Sequence, residues 1–320
     1  MRKLTLLFII AVLSACTLHA QQRKRPNKAV FPMAKIDSLL AVGKYDEAIE
    51  KLNVENLEFP QSKDSLLRIA QRGNDMLQSV KSVKLISHTI LPRNAVYAAI
   101  PRHKEECLLI EHNEAALLSD YQNGYGDKRI VSGSTQHQLP QTKLYETYKI
   151  GGLWTSPEAL DGLGEKFEDI RNPFLLSDGL TLYFSAKEAQ SVSGFDLYVT
   201  RYDLDTHTYF KPENLGFPFS SMSNDYLFWI DELENRIYLI SDRGCTSDSL
   251  SLFVIENQED FNFLPYNTDA AELRKAALLY VPKFQMPLTN VPTEPSSASK
   301  PVMAKPAIKK KNVKPLRKKR

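Results

Sequence analysis

Cysteine is scarce in this 320-residue chain: Cys16, Cys107 and Cys245 are all it has. No Cys-x-x-Cys occurs, and the six histidines stand apart from one another. The five that lie beyond Ala20 (His88, His103, His112, His137, His207) fall in no metal-ligand spacing, so neither a zinc site nor a dithiol centre is written in the pattern. A Gly-x-Ser-x-Gly elbow is missing, and so is a glycine-rich phosphate loop. Acids are missing at both ends. Residues 1–22 carry only Arg2 and Lys3 as charges, and residues 300–320 carry ten Lys/Arg and no Asp or Glu. The formal net charge of +3 therefore hides 29 basic against 38 acidic residues in the body. An acidic body is poorly suited to wrapping nucleic acid, and no specific nucleic-acid partner is expected.

Beyond Ala20, long apolar runs are absent too. Arg2-Lys3 followed by the mostly apolar Leu4–Leu13 and small residues reads as a signal peptide over 1–20. Its apolar core is too short to span a membrane as a mature helix. Two cleavage readings stand. Leu13-Ser14-Ala15-Cys16 has the form of a bacterial lipobox, which would lipidate Cys16 and provide the only membrane attachment; cleavage after Ala20 would instead leave Gln21 first. Either way the protein is expected to be exported, to the periplasm or the outer membrane. With Cys16 gone, Cys107 and Cys245 remain as an even pair in an oxidising compartment, though no spacing rule supports a bridge and unpaired thiols are the simpler reading.

What the chain does have is a repeat. Ser132, Ser185 and Ser241 each end a short apolar run. Tyr145, Tyr198 and Phe253 follow them at offsets of 13, 13 and 12, and Pro157, Pro212 and Pro265 come after 12, 14 and 12 more. Three copies at a fixed period mean a repeat architecture. Asp178-Gly179 is a hairpin-turn signal, and Leu180–Ser185 has the β-branched and aromatic make-up of a strand. Trp154-x-x-Pro157-Glu158-x-Leu160 matches Tyr209-x-x-Pro212-Glu213-x-Leu215, with proline ending a strand each time. Three antiparallel sheets are expected, near 118–160, 173–215 and 224–265, with the three serines at equivalent places.

These motifs resemble the PD40 type of WD40-like repeat, found in TolB-like β-propellers and in envelope proteins of Bacteroidetes. The second copy carries it best, through Leu176-Ser-Asp-Gly-x-Thr-Leu-Tyr-Phe, Gly194-Phe-Asp-Leu-Tyr-Val and Pro212-Glu-Asn-Leu-Gly. The third adds Ser223-Asn224-Asp225-Tyr226 and Asp242-Arg243-Gly244, while the first is degenerate. The resemblance implies a mainly β fold: a propeller-like domain over 84–282, with three recognisable blades and enough apolar runs in 84–112 for a fourth. Propellers close with four to eight blades, so a small, partial or opened propeller is implied.

Residues 33–80 read as helices at 3.6 periodicity with a break at Gly43. Leu40-Ala-Val-Gly43-Lys-Tyr45-Asp-Glu-Ala48-Ile49 resembles a tetratricopeptide hairpin, and a third helix is expected from Ser62 to Val80. One such unit cannot bury its own faces, which favours a cap on the β domain over a peptide-binding groove. Asp269-Ala-Ala-Glu272 reads as a capping box opening a short helix. From 286 to 320 the Pro-, Ser- and Lys-rich composition predicts a disordered tail. That tail is either a solvated charge run or a polybasic arm for anionic envelope polymers such as peptidoglycan.

Function follows by elimination and by analogy. The order of helices then PD40 repeats resembles a peptidoglycan-associated component of the Bacteroidetes type IX secretion apparatus, without the OmpA-like domain that component carries. The expectation is a non-enzymatic, cofactor-free envelope protein that binds a protein or cell-wall partner, with Tyr226 and Trp229 as candidate anchors in the aromatic run of the third copy. The alternative is a sialidase-like hydrolase. It would need a Tyr–Glu pair and several arginines in one cleft, drawn from Arg129, Arg171, Arg201, Arg236 and Arg243.

Overall fold

In the computed structural model the described residues are 30–279, except 55, 102–106, 114–117, 134–142, 190, 192–193 and 259. All belong to one contact unit, Met1–Tyr280. The side chains of 107–113 and 118 are likewise not described. The chain is mainly β, with four α-helices among these residues.

The N-terminal segment forms α1 (Met33–Ala41), α2 (Tyr45–Val54) and α3 (Lys63–Met76). Short 3-10 turns flank α3 at Pro60–Ser62 and Leu77–Ser79. The helical periodicity places Ile36, Tyr45, Ala48 and Leu52 on one side, and all four are buried. Tyr45 lies across α3 at Gly73, where any Cβ would meet the ring carbons at 2.6 Å. The same ring packs with Val80, Phe217 and Ala277, so the helices share a core with the β domain. Arg72 of α3 reaches the β domain as well, pairing with buried Asp196 at 2.5 Å. Both observations agree with a helical cap.

Three antiparallel sheets follow. The first runs β2 (Cys107–Asn113), β3 (Leu118–Asn123), β4 (Lys128–Ser132), β5 (Leu144–Ile150) and β6 (Leu153–Trp154), with β7 (Glu158–Ala159) also on β5. The second runs β8 (Phe167–Leu175), β9 (Thr181–Glu188), β10 (Asp196–Asp203) and β11 (Thr208–Tyr209), with β12 (Glu213–Asn214) also on β10. The third holds β13 (Asp225–Asp231), β14 (Arg236–Ser241) and β15 (Ser249–Glu256). Its fourth strand is β1 (Leu85–Pro92), which pairs antiparallel with β15. A last helix, α4 (Ala270–Ala277), is capped by the Asp269 carboxylate, which accepts from the Ala271 and Glu272 amides.

The repeat survives in three dimensions. Ser132, Ser185 and Ser241 each end, or sit late in, the second strand of a three-strand meander: β4, β9 and β14. Val131 faces Tyr145 and Phe184 faces Tyr198 across the next strand. The third copy differs. Ile240 faces Leu252, and Phe253 faces Leu239, so the spacing of 12 puts Phe253 one place out of register. The outer strands of the first two sheets are broken alike, since Pro157 and Pro212 interrupt them. After each break a buried leucine re-engages: Leu160 donates its amide to Leu144, and Leu215 donates to Leu197, both at 2.9 Å.

Residues 84–112 do not form a fourth sheet. Leu85–Pro92 completes the third sheet, and Cys107–Asn113 extends the first. No closed propeller ring is found among the described residues. One apolar core nevertheless runs through all three sheets, from Tyr121 and Ile130 through Phe174 and Phe184 to Trp229 and Leu239.

Candidate functional site

The first strands of the three meanders, β3, β8 and β13, meet at Asn172, which is 1% exposed. It sits at a register break in β8 with φ +52, a left-handed conformation that asparagine tolerates better than most residues. Its Oδ1 accepts from the Ser119 amide at 2.8 Å, the Ser119 hydroxyl at 2.9 Å and the Tyr97 hydroxyl at 3.1 Å. Its Nδ2 donates to the Tyr226 carbonyl at 2.6 Å. One side chain thus ties β3, β8 and β13 together.

Their ends build a cleft. Each first strand turns into its second by a short hairpin, and all three hairpins line one cavity of about 420 Å³. The first sheet contributes Tyr121, Asn123, Tyr125 and Lys128; the second, Phe174 to Ser177 and Gly179; the third, Ile230, Glu232 and Leu233. The volume lies within the roughly 300–1,000 Å³ usual for ligand pockets. The turns are locally fixed. Asn123 Oδ1 accepts from the Asp127 and Lys128 amides, both at 3.1 Å. Asp178 accepts from the Leu180 and Thr181 amides and the Thr181 hydroxyl, an Asx-type turn. Burial works against the Asp178 carboxylate, but these bonds hold its pKa below the ordinary value. Glu232 reaches from the third sheet to the Ser177 amide of the second at 3.0 Å. The mouth exposes apolar surface, with Tyr125 93% and Leu233 66% exposed.

A second cluster lies where the second sheet meets the third. Asn224 donates to Asp242 through its amide and Nδ2, at 2.8 and 2.7 Å. Its Oδ1 accepts from the Phe195 amide, close enough to Gly194 (φ +85) that a Cβ there would meet this oxygen at 2.1 Å. Beside it Arg243 is buried, bonded to the Pro218 and Phe219 carbonyls at 2.8 and 2.9 Å and to Asp225 at 2.5 Å. Asp225 is fully buried and also accepts from Ser221. These bonds join loops and strands, so the motif residues Asn224, Asp225, Asp242 and Arg243 hold the sheets in place.

The features sought for a hydrolase are scattered. A Tyr–Glu pair does exist: the Tyr198 hydroxyl donates to Glu188 at 2.9 Å, and Lys166 binds the same carboxylate at 2.7 Å. Both residues line a cleft of about 470 Å³ with Arg72, Ser191 and Asn214. Burial, and then the nearby Asp196, push the Tyr198 phenol well above its usual pKa, which opposes phenolate formation. The five candidate arginines are dispersed. Arg129 lies over Trp154, Arg171 binds Asp169, Arg243 binds Asp225, Arg236 lies 4.0 Å from Glu234, and Arg201 is exposed on β10. None of them lines either cleft.

Tyr226 and Trp229, read from the sequence as anchors, are 6% and 3% exposed. Every residue of β13 is buried, because the strand is packed on both faces rather than one. Trp229 packs on Phe174 at 4.9 Å, and Tyr226 bonds Arg93 and Asp242 at its hydroxyl. Neither stands at the surface, whereas Tyr125 and Leu233 at the cleft are exposed. Cys245 carries a free thiol, 3.2 Å from the Ser251 hydroxyl. Cys16, the segment 1–20 read from the sequence as a signal peptide, and the basic tail lie outside the described residues, as does the side chain of Cys107. Among the described residues no group of three or more His, Cys, Asp or Glu is placed to hold a metal.

The three-hairpin cleft was not anticipated from the sequence, though its parts were visible: each repeat carries a polar turn after its first strand (Asn123–Asp127, Ser177–Gly179, Glu232–Asn235). Comparison with protein-family profiles and with curated proteins returns no match to this chain.

Proposed function

We propose that this chain is a non-enzymatic binding protein of the bacterial cell envelope, built on a small PD40-like propeller that uses three sheets, and that it holds a protein or cell-wall partner at the three-hairpin cleft. The observation that carries the reading is the convergence of equivalent turns from all three repeats on one cavity with an exposed aromatic and an exposed leucine at its mouth. Repeat folds present recognition on such loops, and clustered exposed apolar groups mark interaction sites. The pairing of β1 with β15 supports the propeller reading, since it clasps the start of the β domain to its end. Export and, at Cys16, lipidation belong to the same proposal. The native N-terminus should then carry either a diacylglyceryl or triacyl mass on Cys16 or an unmodified start at Gln21; a mature form retaining Met1 contradicts it.

The direct test is affinity purification from the native envelope with the wild type and with Tyr125→Ser and Leu233→Asp, circular dichroism serving as the folding control. Both changes lie on exposed side chains and should leave the fold intact. A partner recovered by the wild type and lost by both variants supports the cleft. Equal recovery by all three proteins moves the site elsewhere. A hydrolase is the second reading, favoured by the Tyr198–Glu188 pair in its own cleft. Glycosidase turnover by the wild type, abolished in Glu188→Gln, would establish it.

A further inference from the structure

Resting on the reading of the three-hairpin cleft as the partner site, we infer that this cleft takes a lysine or arginine side chain of the partner. The floor is apolar, formed by Phe174, Leu175 and Ile230, and the mouth carries the open face of Tyr125. The charge at the rim that has no ion-pair partner is acidic. Glu232 lines the cavity, while the Asp178 carboxylate, held within its own turn by Leu180 and Thr181, is not among the lining groups. Neither carboxylate makes a salt bridge among the described residues; exposed Arg201 acts on Asp178 only at longer range. Both are close enough to Tyr183 to oppose ionisation of its phenol, after burial.

The lining's own cation is already committed. Lys128 pairs with Glu146 at 3.1 Å and lies 5.3 Å over the Tyr148 ring. Burial alone would weaken its charge; Glu146 and Tyr148 more than offset that and hold it protonated. What the cleft offers an incoming group is therefore a hydrocarbon trough, an aromatic face and the Glu232 carboxylate, which has no salt bridge among the described residues. A long aliphatic stem ending in a cation satisfies all three at once. The stem lies along Phe174 and Ile230, the head meets Glu232, and Tyr125 supplies a cation–π contact. An acidic or neutral side chain of similar length would leave Glu232 without a counter-charge.

The test uses the full chain with 3-fluorotyrosine at position 125, read by fluorine NMR. The probes are the amides of N-acetyl-lysine, N-acetyl-arginine, N-acetyl-norleucine and N-acetyl-glutamate. The expected result is a saturable shift with the two cationic probes at millimolar concentration. It should weaken at least fivefold in Glu232→Gln and weaken further with added salt. An equal, salt-independent response to the norleucine probe overturns the cationic assignment and leaves the cleft as an apolar pocket. A stronger response to the glutamate probe overturns it as well. No response to any probe, with partner recovery still lost in Tyr125→Ser and Leu233→Asp, overturns the side-chain assignment while the partner reading stands; partner recovery unaffected by those two variants removes the partner reading itself.

Discussion

Replacing Asn172 with alanine should be the most damaging single polar change in the molecule, and a glycine control separates its two contributions. The alanine removes the acceptor for the Ser119 amide and the donor to the Tyr226 carbonyl, both in buried surroundings. Each buried backbone group left unpaired costs about 1–3 kcal/mol. Alanine at φ +52 adds about 1–2 kcal/mol of backbone strain that asparagine and glycine suffer less. Together these give a loss of about 3–8 kcal/mol, against a typical total stability of roughly 5–15 kcal/mol. Urea unfolding followed by circular dichroism measures it, and the midpoint should fall without a change in slope if the native state stays compact. Asn172→Gly keeps the hydrogen-bond loss but relieves the strain, so it should lie about 1 kcal/mol above Asn172→Ala. An alanine variant within about 1 kcal/mol of wild type would show that the three strands are not held at this residue. A glycine variant less stable than the alanine would refute the strain argument.

The remaining expectations concern the other joints. Gly194→Ala forces a Cβ against Asn224 Oδ1 and places alanine at positive φ, so thermal unfolding should occur several degrees earlier, about 2–4 °C per kcal/mol lost in a domain of this size. Arg243→Met leaves Asp225 buried without its counter-ion and should cost about 3–5 kcal/mol, whereas Arg243→Met combined with Asp225→Asn should recover part of that, measured in the same urea series as a double-mutant cycle. His88 stacks on Phe253 with ring centroids 4.4 Å apart and lies 2.9 Å from the Ser251 hydroxyl. Burial, followed by the charge of Arg243, lowers its pKa from the ordinary 6.5. A lowered histidine pKa means the unfolded chain binds more protons, so this contribution is present above pH 6.5 and fades as the pH falls towards the folded value. The melting temperature of His88→Phe should consequently depend less steeply on pH between 7 and 5 than that of the wild type.

Local pattern carried much of this architecture. The helices over 33–80 and the strands around Ser132, Ser185 and Ser241 follow from periodicity and turn residues alone, because neighbours in sequence are neighbours in each sheet. Non-local choices were not legible. Leu85–Pro92 reads as a generic apolar run, and only its pairing with β15, at the far end of the β domain, makes it part of the third sheet. Alternation predicts one dry and one wet face for Asp225–Asp231, but both faces are covered: Trp229 packs on Phe174, Phe228 on Tyr183 and Tyr226 on Phe195. That is why Tyr226 and Trp229 are core residues. The cleft was hidden for a related reason. Its lining comes from three turns, one in each repeat and distant along the chain, each polar and unremarkable by itself, which Asn172 and the shared core bring together.

The central claim is that the partner sits at those three turns, and site-specific photocrosslinking tests it most directly. A benzophenone side chain at position 125 reports on the cleft mouth; the same group at position 266, where Tyr266 is fully exposed beside the helical cap, reports on the rest of the surface. In native envelope preparations, position 125 should yield one discrete crosslinked species that Leu233→Asp removes, and position 266 should yield none. A species formed at 266 and absent at 125 would contradict the account.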